Sequence, residues 1–225
     1  MELLLYFWDL LVHLDKHLAN LLAQHGVWVY LILFLIVFCE TGLVVTPFLP
    51  GDSLLFIAGA LTATGSGAGQ LDLAMLNILL IAAAVLGNTT NYWIGRYFGP
   101  KVFGWEDSRF FNRRAFDKAH AFYENHGGKT IVITRFLPIL RTFAPFVAGV
   151  AQMTHLRFQS YNAAGGVLWV VSLTVGGYLF GNIPWVKNNL TVIILALIII
   201  PGLPALVVAI RTWNEQRRAR LAGKA

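Results

Sequence analysis

The chain has 225 residues, of which 57% are hydrophobic and only 12% charged, with a mean hydropathy of +0.64. A soluble domain of this length cannot hide so much apolar surface, and uninterrupted runs such as Leu190–Ile200 exclude one. These runs also lack period-two alternation, which excludes a β-barrel, so the expected class is an all-α polytopic membrane protein. The formal net charge of +6 is unevenly spread. Arg96, Lys101, Arg109, Arg113, Arg114, Lys118 and Lys129 crowd one loop, and Arg211, Arg217, Arg218, Arg220 and Lys224 crowd the tail. Beside membrane spans the positive-inside rule accounts for both clusters more simply than nucleic acid does. Both are therefore placed in the cytoplasm, with anionic headgroups as an additional contact and no nucleic-acid partner. The single Cys39 lies in an apolar run and reads as a packing residue, not as part of a disulfide or thiol metal site.

Residues 1–25 predict an amphipathic interfacial helix, with Leu3, Tyr6, Phe7, Leu10, Leu14, Leu18 and Leu21 at helical spacing among Asp9, His13, Asp15 and Lys16. Glu2 and Asp9 argue against a cleavable signal there. The membrane domain is expected over 26–210. Val27–Val45 is near the roughly 20 residues a span requires. The stretch that follows, about 46–62, is too short and too interrupted for an ordinary span and predicts a re-entrant hairpin. Thr64–Gly69 predicts a flexible outer loop, Leu73–Phe98 a span, and 100–128 a basic loop with a helix near Arg114–Asn125. A second re-entrant hairpin is expected over about 130–150, then spans at Phe158–Phe180 and Thr191–Ile210, and a basic tail over 211–225. Pro47, Pro50, Pro138 and Pro145 are the expected helix breaks.

The chain repeats itself. Phe48-Leu49-Pro50 with Phe56-Ile57-Ala58-Gly59 echoes Phe136-Leu137-Pro138 with Phe146-Val147-Ala148-Gly149. Val85-Leu86 with Gly95 and Phe98-Gly99 echoes Val167-Leu168 with Gly177 and Phe180-Gly181. One span separates the two broken segments, so they enter from opposite faces. That predicts an inverted repeat with two opposed re-entrant helical hairpins whose tips meet near the midplane.

Between Val27 and Leu71 the only charged residues are Glu40 and Asp52; between Thr130 and Gln152 they are Arg135 and Arg141. Ionisable groups in hydrocarbon are expensive and mark functional sites by default. The alternative is four charges that merely lock two hairpins together. An arginine fork matches a phosphate bidentately, so Arg135 and Arg141 are the candidate substrate-binding residues, and Glu40 and Asp52 the candidate proton-coupling acids. Backbone donors at the half-helix start place Gly51 and Ser53 beside the anion, with Asp52 or Ser53 suited to capping. Asn88, Asn91 and Tyr92 are cavity-lining candidates on the intervening span, with interhelical hydrogen bonding as the competing role. Trp28, Tyr30 and Trp185 read as interface anchors. His13 and His17, at i and i+4, and His126 and His155, at segment ends, read as solvated at headgroup level, so no metal is expected. No nucleophile elbow, phosphate loop or His-Glu-x-x-His is present, and neither enzyme activity nor a cofactor is expected.

Several motifs resemble the bacterial DedA family, related to eukaryotic VTT-domain proteins. They are Phe38-Cys39-Glu40-Thr41-Gly42, Pro47-Phe48-Leu49-Pro50-Gly51-Asp52-Ser53-Leu54, Asn91-Tyr92 with Ile94-Gly95-Arg96, and Phe122-Tyr123-Glu124 with His126–Thr130. Arg135-Phe136, Arg141-Thr142, and Pro145 with Ala148-Gly149 complete the set. The resemblance implies opposed re-entrant hairpins and movement of lipid between leaflets. For bacterial members it implies return of undecaprenyl phosphate to the cytoplasmic face of the inner membrane, with proton-motive-force coupling and phospholipid scrambling also proposed. It carries the family's essential acids onto Glu40 and Asp52 and its essential arginines onto Arg135 and Arg141. Where the family often has an acid, this chain has Asn88. The expected partners are an anionic polyprenyl phosphate, bulk phospholipid and protons. The expected function is a proton-linked flippase, against a passive scramblase, a proton-coupled small-cation antiporter or a non-transporting scaffold. The Gly176-Gly177-Tyr178 face suits either a homodimer contact or lipid cover.

Overall fold

Two long helices set the frame. The computed structural model describes residues 26–43, 51–64, 71–103, 128–137, 140–181 and 183–189, with isolated positions between 18 and 24 and between 192 and 196. Among them every regular element is a helix: α1 (Trp28–Gly42), α2 (Gly51–Thr64), α3 (Leu73–Phe103), α4 (Lys129–Thr134), α5 (Leu140–Val150), α6 (His155–Phe180) and α7 (Pro184–Asn188). Within α3 and α6, Leu73–Phe98 and His155–Phe180 are apolar and 26 residues long. At 1.5 Å per residue each reaches about 39 Å, enough to cross a bilayer. Only 33% of the apolar window in each is buried against the rest of the protein. Met75, Ile78, Leu86 and Trp93 on α3, and Leu156, Leu168 and Leu179 on α6, face outward. Acyl chains cover such faces at no cost, whereas water would not.

The expected interfacial helix, Pro47, Pro50, Pro138, the outer loop at 65–70, most of the basic loop, nearly all of the last span and the tail lie outside the described residues, as do His13, His17 and His126. The second broken segment is a six-residue helix, a turn at Arg135–Leu137, and α5. Pro145 departs from expectation. It sits inside α5, which runs on unbroken to Val150. A proline there removes one hydrogen bond, to the Arg141 carbonyl, at a cost of about 3 kcal/mol. The packing of α5 on α3 offsets it.

That packing is paired. The helix that follows the first broken segment, α2, lies on α6, and the helix that follows the second, α5, lies on α3. The contacts are made by glycines at matching places in the sequence repeat. A Cβ on Gly59 would collide with the Thr174 carbonyl, and one on Gly177 with the Phe56 carbonyl. A Cβ on Gly149 would likewise collide with the Tyr92 carbonyl, and one on Gly95 with the Phe146 carbonyl. Backbones this close are how membrane helices associate when apolar burial offers no drive.

Two apolar clusters form around this frame. One gathers Val29, Leu33 and Val37 of α1, Leu54, Leu55 and Ile57 of α2, Leu76 and Leu80 of α3, and Val170 of α6. The other gathers Tyr92, Ile131, Ala148, Met153 and Phe158. Between them, at mid-length of both long helices, the interior turns polar.

Candidate functional site

The polar interior is assembled at helix ends. Helix α1 crosses α3 where Gly42 meets Gly87, with a Cβ on Gly42 only 3.3 Å from the Gly87 Cα, and this brings Glu40 deep into the fold. Gly51 opens α2 directly beneath it. A Cβ on Gly51 would collide with the Glu40 carboxylate, so close approach rather than backbone conformation selects glycine there. The next residue, Asp52, stands in the first turn of α2, where the helix dipole favours an acid. Arg141 stands in the first turn of α5, where the dipole disfavours a cation, and both acids converge on it.

The Arg141 fork is divided between them. Its Nη1 donates to Asp52 Oδ1 at 2.7 Å and its Nη2 donates to Glu40 Oε1. Glu40 is fully buried, and the Arg141 and Asp52 side chains are 6% and 15% exposed, so the cluster is sealed but nearest to an opening at Asp52. The Trp169 indole N–H also donates to Asp52 Oδ1, at 2.8 Å, and its ring lies 5.3 Å from the Arg141 guanidinium carbon. Asn91 holds this geometry from α3. Its amide donates to the Thr142 carbonyl at 2.7 Å and the Thr41 carbonyl at 3.3 Å, the residues that follow Arg141 and Glu40. Asn91 thus makes the interhelical hydrogen bonds of its competing role.

Arg135 departs from the expected two-by-two pairing of acids with bases. It occupies the turn between α4 and α5, is 3% exposed, and forms no ion pair among the described residues. Its Nη2 donates to Asn162 Oδ1 at 2.5 Å and to the Asn162 and Ala84 carbonyls, both at 3.3 Å. Asn162 is fixed in turn by its own amide, which donates to the Val85 carbonyl at 3.0 Å. Gly165 lies close against the Arg135 side chain, where an added Cβ would come within 3.2 Å of its Cδ. The Trp169 ring centre lies 6.0 Å from the Arg135 guanidinium carbon, so one indole touches both arginines. Among the described residues, the buried side-chain polar atoms without a hydrogen-bond partner are Glu40 Oε2, Asn91 Oδ1, Arg135 Nε and Arg141 Nε.

Other candidates separate. Gly51 and the fully buried Ser53 line the start of α2 beside the acids. Asn88 is buried on the same face of α3 as Asn91. Tyr92 stands apart from the charges. Its hydroxyl donates to the Met153 carbonyl at 2.5 Å and accepts from Arg96, and its ring stacks on Phe158 with centroids 4.4 Å apart, so it anchors the second apolar cluster. Tyr30 accepts the Asp72 backbone N–H at 2.7 Å, a structural bond. Trp169 and Asn162 are the site residues that motif reading overlooked. The available signal was the stripe Asn162, Gly165, Gly166, Trp169, polar and small at helical spacing within an otherwise apolar span.

Comparison with known proteins agrees with the motifs. The VTT domain family profile matches residues 49–179. Protein DedA of Escherichia coli is 51% identical over 219 residues, 97% of this chain and 99% of that protein. An uncharacterized membrane protein of Mycobacterium tuberculosis is 44% identical over 187 residues, covering 83% of this chain and 81% of its own length. Inner membrane protein YghB of Escherichia coli is 36% identical over 197 residues, 86% of this chain and 87% of that one. No solved structure matches the chain. The chain belongs to the DedA family of membrane proteins, and its VTT domain contains both arginines and Asp52 of the charged cluster.

Proposed function

We propose that this protein is a multi-pass inner-membrane lipid transporter, a proton-linked flippase that returns a polyprenyl monophosphate, undecaprenyl phosphate, to the cytoplasmic leaflet. The observation that carries the reading is the Arg141 fork shared between Glu40 and Asp52 at mid-length of the two long helices. A planar fork suited to phosphate is held there by acids able to take up protons. The reciprocal glycine contacts of α2 on α6 and α5 on α3 support an inverted repeat whose hairpins enter from opposite faces. A relative named as an inner membrane protein supports the location.

Charge balance supplies the mechanism. Two acids and two arginines sum to zero, which a low-dielectric interior tolerates. A phosphate monoester, close to a dianion at neutral pH, adds negative charge that protons on Glu40 and Asp52 offset while the Arg141 fork turns to the phosphate. Deprotonation on the cytoplasmic side reverses the exchange and expels the anion. Only the headgroup crosses the polar interior. The tail stays among acyl chains, avoiding roughly 0.8 kcal/mol for every methylene otherwise exposed to water. The protein moves its substrate without making or breaking a covalent bond.

The test is leaflet exchange of labelled undecaprenyl phosphate in proteoliposomes beside a phosphatidylethanolamine analogue, for the wild type and Arg141→Ala. Selective movement of the phosphate lipid, lost in the variant, is expected. Equal movement of both lipids, indifferent to the substitution and to a pH gradient, would make the protein a scramblase. Proton release on adding a small cation would make it an antiporter instead.

A further inference from the structure

The two arginines have unequal surroundings. Both Nη atoms of Arg141 are engaged by carboxylates, while Arg135, also buried, has no acid beside it among the described residues. A buried cation without a counter-ion is costly, and its Nε, like that of Arg141, has no acceptor. What holds it is Asn162, an amide with the shape of aspartate. An amide oxygen orients the fork but leaves its charge unspent.

We infer that Arg135, oriented by Asn162, is the resident seat for the phosphate monoester group, and that Arg141 joins it only after Glu40 and Asp52 have taken up protons. This rests on the lipid-phosphate reading above and divides the labour within it. Arg135 sets affinity, and Arg141 sets the proton requirement. The charged groups around Arg141 are Glu40 from α1, Asp52 from α2 and Arg135 across Trp169 of α6; from α3 comes Asn91, which does not titrate. Asn162 is a positioning residue that acts through Arg135. Trp169, touching both guanidiniums, is the element over which the phosphate passes from one to two arginines.

The experiment is binding of undecaprenyl phosphate in nanodiscs, and of inorganic phosphate in solution, to the full chain and to Asn162→Asp. The carboxylate accepts the same hydrogen bond and neutralises Arg135 but gives up the N–H that the Val85 carbonyl accepts, so the variant is expected to be less stable and, where it folds, to lose lipid affinity at least tenfold. Unchanged affinity in a folded variant overturns the seat. Absence of lipid binding in the wild type overturns the transport reading and the seat with it. Binding of inorganic phosphate alone, weakened by the substitution, keeps the seat but overturns the lipid reading. The pH profile decides independently, even if Asn162→Asp fails to fold. Arg135→Gln is expected to lower affinity at every pH while keeping its pH dependence, and Arg141→Gln to flatten that dependence. The reverse pattern would place the seat at Arg141.

Discussion

Individual side chains in this protein are placed by what they must give up to water. Glu40 is fully buried, and Arg141 compensates it through a hydrogen bond to one carboxylate oxygen. Arg141→Lys keeps the charge but has no planar fork, so it can hold one acid in the proper geometry but not both. Transport should fall at least tenfold with normal membrane insertion, read as lipid exchange per reconstituted protein. Near-normal exchange would argue against bidentate engagement. Trp169→Phe keeps an aromatic ring but removes the N–H that Asp52 accepts, together with part of the ring surface against both arginines. Loss of a hydrogen bond to a charged group, about 1.5–3 kcal/mol, should lower detergent stability by a similar amount and slow transport roughly tenfold or more. A Trp169→Phe protein that transports at the wild-type rate would reduce the indole to packing.

Helices are placed here by how near their backbones can come. Gly59 and Gly149 carry the closest approaches of α2 to α6 and α5 to α3. Substituting alanine at either forces the pair apart. The expected cost is about 1–3 kcal/mol from overpacking, visible as a lower melting temperature and a loss of monodisperse protein in detergent. Gly176 provides the control, since its nearest neighbour to an added Cβ is 4.0 Å away. There the helix-propensity gain of alanine, up to about 1 kcal/mol, should leave stability equal or slightly higher. Equal responses at Gly59 and Gly176 would mean that the glycine contacts do not hold the fold. Asn91 links three helices through two carbonyls, so Asn91→Ala should lower both stability and exchange rate, whereas the exposed Thr90→Ala on the same helix should change neither.

Across the assembled protein, the charged cluster is flanked from both long helices, by Asn91 of α3 and Trp169 of α6. A neutral four-charge site that takes two protons with a phosphate dianion moves no net charge. Exchange should therefore respond to a pH gradient and stay indifferent to an imposed membrane potential of the same energy. A strong response to potential alone would require a different proton count. Topology is tested separately: reporters fused within the basic loop near Lys118 and at the C-terminus should both report cytoplasm, with one near Gly67 outside. Opposite sides for the first two would remove the inverted arrangement.

Much of this was legible in composition and spacing, because hydrocarbon tolerates few solutions. Charge is so costly there that four isolated ionisable residues, Glu40 in the first apolar run and Asp52, Arg135 and Arg141 in the two broken segments, marked the candidate site, and long apolar runs marked the helices that frame it. The repeated Phe-x-Ala-Gly motif was visible for the same reason, since only glycine permits such contacts. Pairing was not legible. Whether Arg135 or Arg141 meets the acids depends on which helix ends converge, and the Gly42–Gly87 crossing and the Asn91 bridge decide that in three dimensions. Tyr92 and Asn91 are neighbours in the chain yet serve different clusters, because adjacent residues on a helix face about 100° apart. Trp169 and Asn162 looked like ordinary span residues, and they became part of the site only where α6 passes both arginines. Local energetics thus determined which residues are buried at the centre, while the tertiary structure alone decided which of them touch, since contact between distant helices is a property of their packing and not of either segment.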